Sequence, residues 1–208
     1  MGPGGTMTKL ESGVDPRVER TREALFVAAI QLVENRDVSE ISIKDISDSA
    51  GVSRQAIYAH FPDRDHLLAD TAIRRMSTAI AAAQDGPTYL PEDGSAPQTL
   101  VALISHLMEQ STFYRRIFMG PTSALAVGEL SRQNHRHFER LMDLPAAPIP
   151  DAVTREVAEP DLIEFLAGGS TALTVRWIID PPSEPPAVLA NRLWSLWMTL
   201  RPTSVIRV

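Results

Sequence analysis

The chain has 208 residues, a formal net charge of −6 and no cysteine. It can bury a substantial core in one domain or two, and it has no disulfide, thiolate-metal or cysteine-nucleophile chemistry, which fits a reducing compartment. The acidic balance, with a pI near 5.4, opposes a broad electrostatic grip on nucleic acid.

No apolar run approaches the roughly 20 residues needed to cross a bilayer, and the opening MGPGGTMTKLESG has neither the basic flank nor the apolar stretch of a secretory signal. A disordered arm over residues 1–15, no membrane partner and a cytoplasmic location are expected. In the next segment VSEISI offers one short strand candidate, better explained as a loop into a capped helix.

That helix is announced by Ser42, whose hydroxyl can accept from a free first-turn N–H while Asp45, three residues on, reaches back. Ile43, Ile46 and Ala50 then form one apolar stripe, and Gly51 can take the left-handed conformation that ends a helix. Ser53 is a second N-cap. In the helix that follows, Ile57 and Phe61 fall on one face, while Arg54, Gln55 and Tyr58, with Ala59, fall on the other. Two short helices around a glycine turn, with polar groups on the first turns of the second, match helix-turn-helix geometry. Arg54 suits a guanine edge and Gln55 an adenine. Lys44, Tyr58 and His60 suit phosphate oxygens, which position a protein without reading sequence, and Ser42, Ser53 and Arg64 complete the DNA-binding candidates. Between Pro16 and Leu68, seven basic side chains face nine acidic ones, so binding should depend on paired heads and on salt.

Three pieces carry a resemblance: RVERTREALFVAAIQLVENRDVSEIS leading to the serine cap, the AGVS turn at Ala50 to Ser53, and the YAHFPDRDHLL string. Together, over about Arg17 to Leu68, they resemble the N-terminal domain of the TetR family of bacterial transcriptional regulators. The chain departs from the pattern at Arg64, where that family often has lysine, and Asp63 and Asp65 on either side should weaken a phosphate contact there. The resemblance implies an all-α fold: a three-helix helix-turn-helix domain over 16–62 and a helical bundle over 63–208 for ligand binding and dimerisation.

Beyond Leu68 the helical pattern continues through Ala72, Ile73 and Met76 until the proline- and glycine-rich GPTYLPEDGSAPQ, read as a loop. A single helix from Gln98 through Phe118 is expected up to Gly120-Pro121, then others over about Thr122 to Met142, Asp161 to Ile179 and Pro185 to Leu200, with LPAAPIPDAV as a connector. Small residues Gly168, Gly169 and Ala172 and the spaced Trp194 and Trp197 are candidates for a two-fold helical interface, which the resemblance implies. Two recognition helices would then stand about 34 Å apart on a pseudo-palindrome.

In TetR-like proteins a small molecule enters the body and shifts the helix beginning near Asp63. Candidate walls and polar contacts for it are His106, Gln110, Tyr114, Phe118, Asn134, Phe138, Phe165 and Thr171, with Phe113 and Met119 beside them. His135 and His137 lack the spacing and companions of a helical zinc site, so neither metal nor cofactor is expected. The chain also lacks the G-x-S-x-G, phosphate-loop, G-x-G-x-x-G and H-E-x-x-H motifs, so no catalytic residue is assigned. An architectural or protein-interaction module with the same head and no sensor stays open. A cavity among the body helices would separate it from a ligand-responsive repressor.

Overall fold

The structure, a computed structural model, describes residues 16–84, 94–142 and 159–200. Among these the chain is helical: α1 (Pro16–Asn35), α2 (Ile43–Ala50), α3 (Arg54–Tyr58), α4 (Arg64–Ala82), α5 (Gln98–Glu109), α6 (Ser111–Met119), α7 (Ser123–Met142), α8 (Glu159–Ile179) and α9 (Pro186–Leu200). The expected N-terminal arm and LPAAPIPDAV connector, and most of the GPTYLPEDGSAPQ loop, lie outside the described residues.

The head is built as its local chemistry dictates. VSEISI is a 3-10 turn at Val38–Glu40 running into the cap, not a strand. Ser42 accepts from the Asp45 N–H at 3.2 Å, and Asp45 accepts from the Ser42 N–H at 2.8 Å, completing the capping box. The Ser42 hydroxyl, its N–H and the Arg36 guanidinium hold the Asp45 carboxyl well below the usual carboxylate range. A depressed carboxyl loses its stabilising contribution only as pH falls through the depressed value, so the cap persists through neutral and mildly acid conditions. Gly51 closes α2 in the left-handed region at φ 66°, and Ser53 caps α3 by accepting from the Ala56 N–H at 3.1 Å.

One apolar core runs from head to body. It joins Leu25, Phe26 and Val33 of α1 with Ile46, Ile57 and Phe61, then with Leu68, Ala72 and Met76 of α4, and then with Phe113, Tyr114 and Ile117 of α6. Smaller clusters seat α9 on α5 through Leu100, Ile104, Leu189 and Trp194, with Trp177 of α8 beside them, and α8 on α7 through Phe138, Ile163 and Leu166. Helix α4 belongs to both halves, packing against α1 on one side and α5 and α7 on the other.

Two expectations change. The single helix from Gln98 to Phe118 is two helices, because Gln110 leaves the helical region at φ −102° and ψ 23°. Helix α8, at 21 residues, is long and apolar enough to cross a membrane by length and composition, contrary to the sequence reading. Half of its apolar window is buried within the protein, however, as in a core helix packed on α6 and α7.

A Cβ placed at Gly51 meets open space, so a substitution there tests backbone strain alone. Gly51→Ala should lower stability by roughly 1–2 kcal/mol, the penalty of the left-handed region for a residue with a Cβ, measured by urea denaturation.

Candidate nucleic-acid interface

Helix α3 has five residues and could not persist alone, since helices this short are unstable in water. Tertiary contacts on one side hold it: Ile57 is wholly buried and Phe61, just beyond, is nearly so. Val52, in the turn, packs partly buried against the same core, and Ser47 donates to the Val52 carbonyl at 2.6 Å. On the other side Arg54, Gln55 and Tyr58 are exposed together, Tyr58 at 56%. A guanidinium, an amide and a phenol therefore project from a rigid seat, the arrangement that groove readout needs.

The remaining DNA-binding candidates are placed differently from one another. Ser42 and Ser53 spend their hydroxyls on the helix caps, while each residue remains exposed. Lys44 is exposed and ion-paired with Asp48 one turn on. His60 is half-buried just past α3.

Arg64 departs from its expected role. Its Nη1 donates to the Ile41 carbonyl at 2.7 Å and the Val38 carbonyl at 3.3 Å, while Nε and Nη2 donate to Asp65 at 2.9 and 2.7 Å. The guanidinium is turned inward and its donors are engaged, so it braces the segment before α2 and has no fork left for a phosphate. Asp65, on the same oxygen, also accepts from Thr122 at 3.0 Å, tying the α6–α7 turn to the head.

The family model for bacterial regulatory proteins of the TetR family matches residues 25–71, the segment that forms the second half of α1, α2, α3 and the first turns of α4. The chain is 38% identical over 71 residues to the transcriptional regulator YxbF of Bacillus subtilis, covering 34% of this chain and 18% of that one. It is 32% identical over 82 residues to the transcriptional regulator EthR of Mycobacterium tuberculosis, covering 39% and 36%. It thus spans about a third or less of the length of these relatives. A solved TetR transcriptional regulator from Rhodococcus sp. RHA1 shares the fold over 86% of this chain and 96% of its own, with a TM-score of 0.57 and 15% identity.

Residues 25–71 are a TetR-type N-terminal domain.

In the body, three of the candidate effector contacts meet. The ring nitrogen Nε2 of His106 lies 2.8 Å from the Tyr114 hydroxyl, and Gln110 accepts from Arg75 at 2.8 Å. Burial, then the charge of Arg75, lowers the pKa of His106, and burial raises that of Tyr114. Asn134 donates to Thr171 at 3.0 Å in a separate α7–α8 contact. Phe118 is core, packed with Phe113 and Ile117. Phe138 lines a crevice of about 20 Å³ with Leu166, Trp194 and Trp197, space for about one water.

Phe165 is 66% exposed and corrects its expected role as a pocket wall. The buried stripe of α8 runs through Leu162, Ile163, Leu166, Ser170, Thr174 and Trp177, which leaves Phe165 on the opposite side with Gly168, Gly169 and Ala172. Met119 is likewise exposed, on a groove of about 420 Å³ beside Val38 and Pro121. The tryptophans are corrected in the other direction. Trp194 is 3% exposed, and Trp197 donates to Ser170 at 2.9 Å while lying edge-on to Phe138. Both rings serve their own chain, because the apolar stripe of α9 is used up against α5 and α8.

Arg75 and its partner Glu34 were missed in the sequence, although a signal existed: Arg75 continues the buried stripe of Leu68 and Ala72, where a charge must find a partner. Because Arg64 braces the head, Arg64→Ala should destabilise the protein by about 2 kcal/mol, the scale of hydrogen bonds to a charged group. The salt dependence of DNA binding should stay unchanged, whereas loss of about one unit of slope would return Arg64 to the phosphates.

Proposed function

We propose that the protein is a cytoplasmic homodimeric repressor that binds a pseudo-palindromic operator and leaves it when a small-molecule effector occupies the body. The observation that carries this reading is the joint exposure of Arg54, Gln55 and Tyr58 on a helix whose opposite face is sealed by Ile57 and Phe61. Arg54 and Gln55 read base edges; Tyr58, His60 and Lys44 meet phosphates, with the exposed N-cap serines Ser42 and Ser53 beside them. Lys44 must exchange Asp48 for a phosphate, a small cost because exposed ion pairs contribute little. Residues 16–62 form the reading head and residues 63–208 the sensing and dimerising body.

A second protomer is needed because one acidic head offers few phosphate contacts. The exposed stripe of Phe165, Gly168, Gly169 and Ala172 on α8 supports a partner there: a Cβ on either glycine meets open space, so another backbone can approach closely. The polar contacts of His106, Gln110 and Tyr114 support an effector site between α4, α5 and α6. The tight packing of Phe118, Phe138 and Thr171 favours the second reading, an architectural module that has the same head and no sensor.

Selection of bound duplexes from a random pool should recover an inverted repeat, with half-sites about one helical turn apart or a multiple of it. Recovery of unrelated sequences would refute the proposal. Replacing Arg54 or Gln55 by Ala should relax base preference by about 1–3 kcal/mol at one position per half-site, while Lys44→Ala weakens all sequences alike. Ala172→Glu should shift the protein to monomer in sedimentation and abolish operator binding with it; a dimer that persists would move the interface elsewhere.

A further inference from the structure

The guanidinium of Arg75 is the least satisfied charged group among the described residues. Its side chain is 15% exposed, it lies 4.6 Å over the Phe113 ring, and Nη2 donates at 2.8 Å to both Glu34 and Gln110. Nη1 is sealed from solvent and has no acceptor among the described residues. Buried donors of this kind are almost always paired, and a charged donor pays most when it is not. Its charge acts on the His106–Tyr114 pair, and the Phe113 ring beneath it belongs to the same buried core as Leu107 and Ile117.

Resting on the ligand-responsive reading above, we propose that Arg75 is the receptor for the carboxylate of an organic monocarboxylate effector, whose binding takes Arg75 away from Glu34. A guanidinium presents two parallel N–H groups that match a carboxylate. Here one of the two nitrogens is vacant and the other is shared between two acceptors, so a bidentate ligand completes the first and displaces a partner from the second. Glu34 is the partner that can leave: its side chain is 41% exposed and reaches water by rotating. Gln110 stands at the break between α5 and α6, where the backbone is already out of the helix. Movement of its amide opens room for the ligand.

Charge selects the class. With Glu34 displaced, one cation faces one carboxylate in apolar surroundings, whereas a phosphate dianion would leave an uncompensated charge there. The apolar side chains Leu107, Phe113 and Ile117 are buried, and they meet a hydrocarbon tail only once the α5–α6 break opens. Glu34 belongs to α1, so its release removes one α1–α4 ion pair and leaves those of Arg22 with Asp70 and of Arg74 with Glu19 and Glu23 in place.

The test uses the full chain without DNA, melted in the presence of straight-chain monocarboxylates from acetate to decanoate and of the alcohols of equal length. At least one acid should raise the melting temperature while its alcohol does not. E34Q, which removes the competing carboxylate, should bind that acid several-fold more tightly, and R75Q should lose the response. R75Q is buried and its folding must be checked by circular dichroism; E34Q lies at the surface and carries the test by itself. Alcohols equal to acids, an affinity unchanged in E34Q, or no acid response in wild type and E34Q would each overturn the proposal, the last leaving a trapped water as the occupant of Nη1. Acid binding that leaves operator affinity unchanged would overturn the displacement of Glu34. An uncharged compound that releases the operator would sink the carboxylate assignment and leave the repressor reading intact.

Discussion

The Arg64–Asp65 pair on the first turn of α4 anchors the segment from which α2 and the exposed face of α3 are presented. One oxygen of Asp65 accepts from Arg64 and from Thr122 of the α6–α7 turn, and Arg64 passes the connection to the Ile41 carbonyl, one residue before the cap of α2. From there the path is local: the Ser42–Asp45 box, the apolar stripe of α2, the left-handed Gly51 and the Ser53 cap. A five-residue α3 has no stability of its own to contribute. Its orientation is inherited through this chain of contacts and through the burial of Ile57, so the readout surface is only as rigid as the first turn of α4.

What was legible in the sequence follows the same division between local and distant causes. The capping box, the glycine stop, the second cap and the inward Ile57 and Phe61 depend on neighbours within four residues, and all were readable. Arg64 was misplaced because its partners are carbonyls 23 and 26 residues earlier in the chain. The break at Gln110 was missed because no glycine or proline marks it. On α8 and α9 the apolar residues are numerous enough that spacing alone leaves two faces available, so Phe165 was put inside and Trp194 and Trp197 outside, the reverse of what packing selects. The effector candidates were partly grouped, since His106, Gln110 and Tyr114 do come together, but the cation that organises them lies on a different helix.

The acidic head becomes intelligible when its cations are followed to their partners. Arg22 is bound to Asp70, Arg36 to Asp45 and the Glu40 carbonyl, and Arg64 to Asp65. Arg22 also lies over Phe26 and Phe61, and Arg74 over Phe26, a layer of guanidinium on aromatic faces that covers the head's core. Much of the positive charge is therefore structural. On the proposed reading, specific contacts from Arg54 and Gln55 supply a large share of the discrimination, while weak phosphate attraction limits residence on unrelated DNA.

Besides the ion pairs of Arg22 with Asp70 and of Arg74 with Glu19 and Glu23, which link α1 to α4 near the surface, three further ties join head to body, and their chemistry differs in a way that bears on switching. Arg64 and Asp65 join Ile41 to Thr122, and Arg116 of α6 donates to the Val33 carbonyl of α1 at 2.7 Å with Asp37 3.6 Å away. In both, the head supplies a backbone carbonyl, which cannot turn to another donor without distorting the chain. In the third, the head supplies the side chain of Glu34, half in water, and the body supplies Gln110 at a helix break. A contact between two rotatable groups sharing one nitrogen can be exchanged for another acceptor at small cost, while the first two hold the register of α1 on α4 and α6. Such a joint can change state without unfolding either half, which a bistable element between two sites requires.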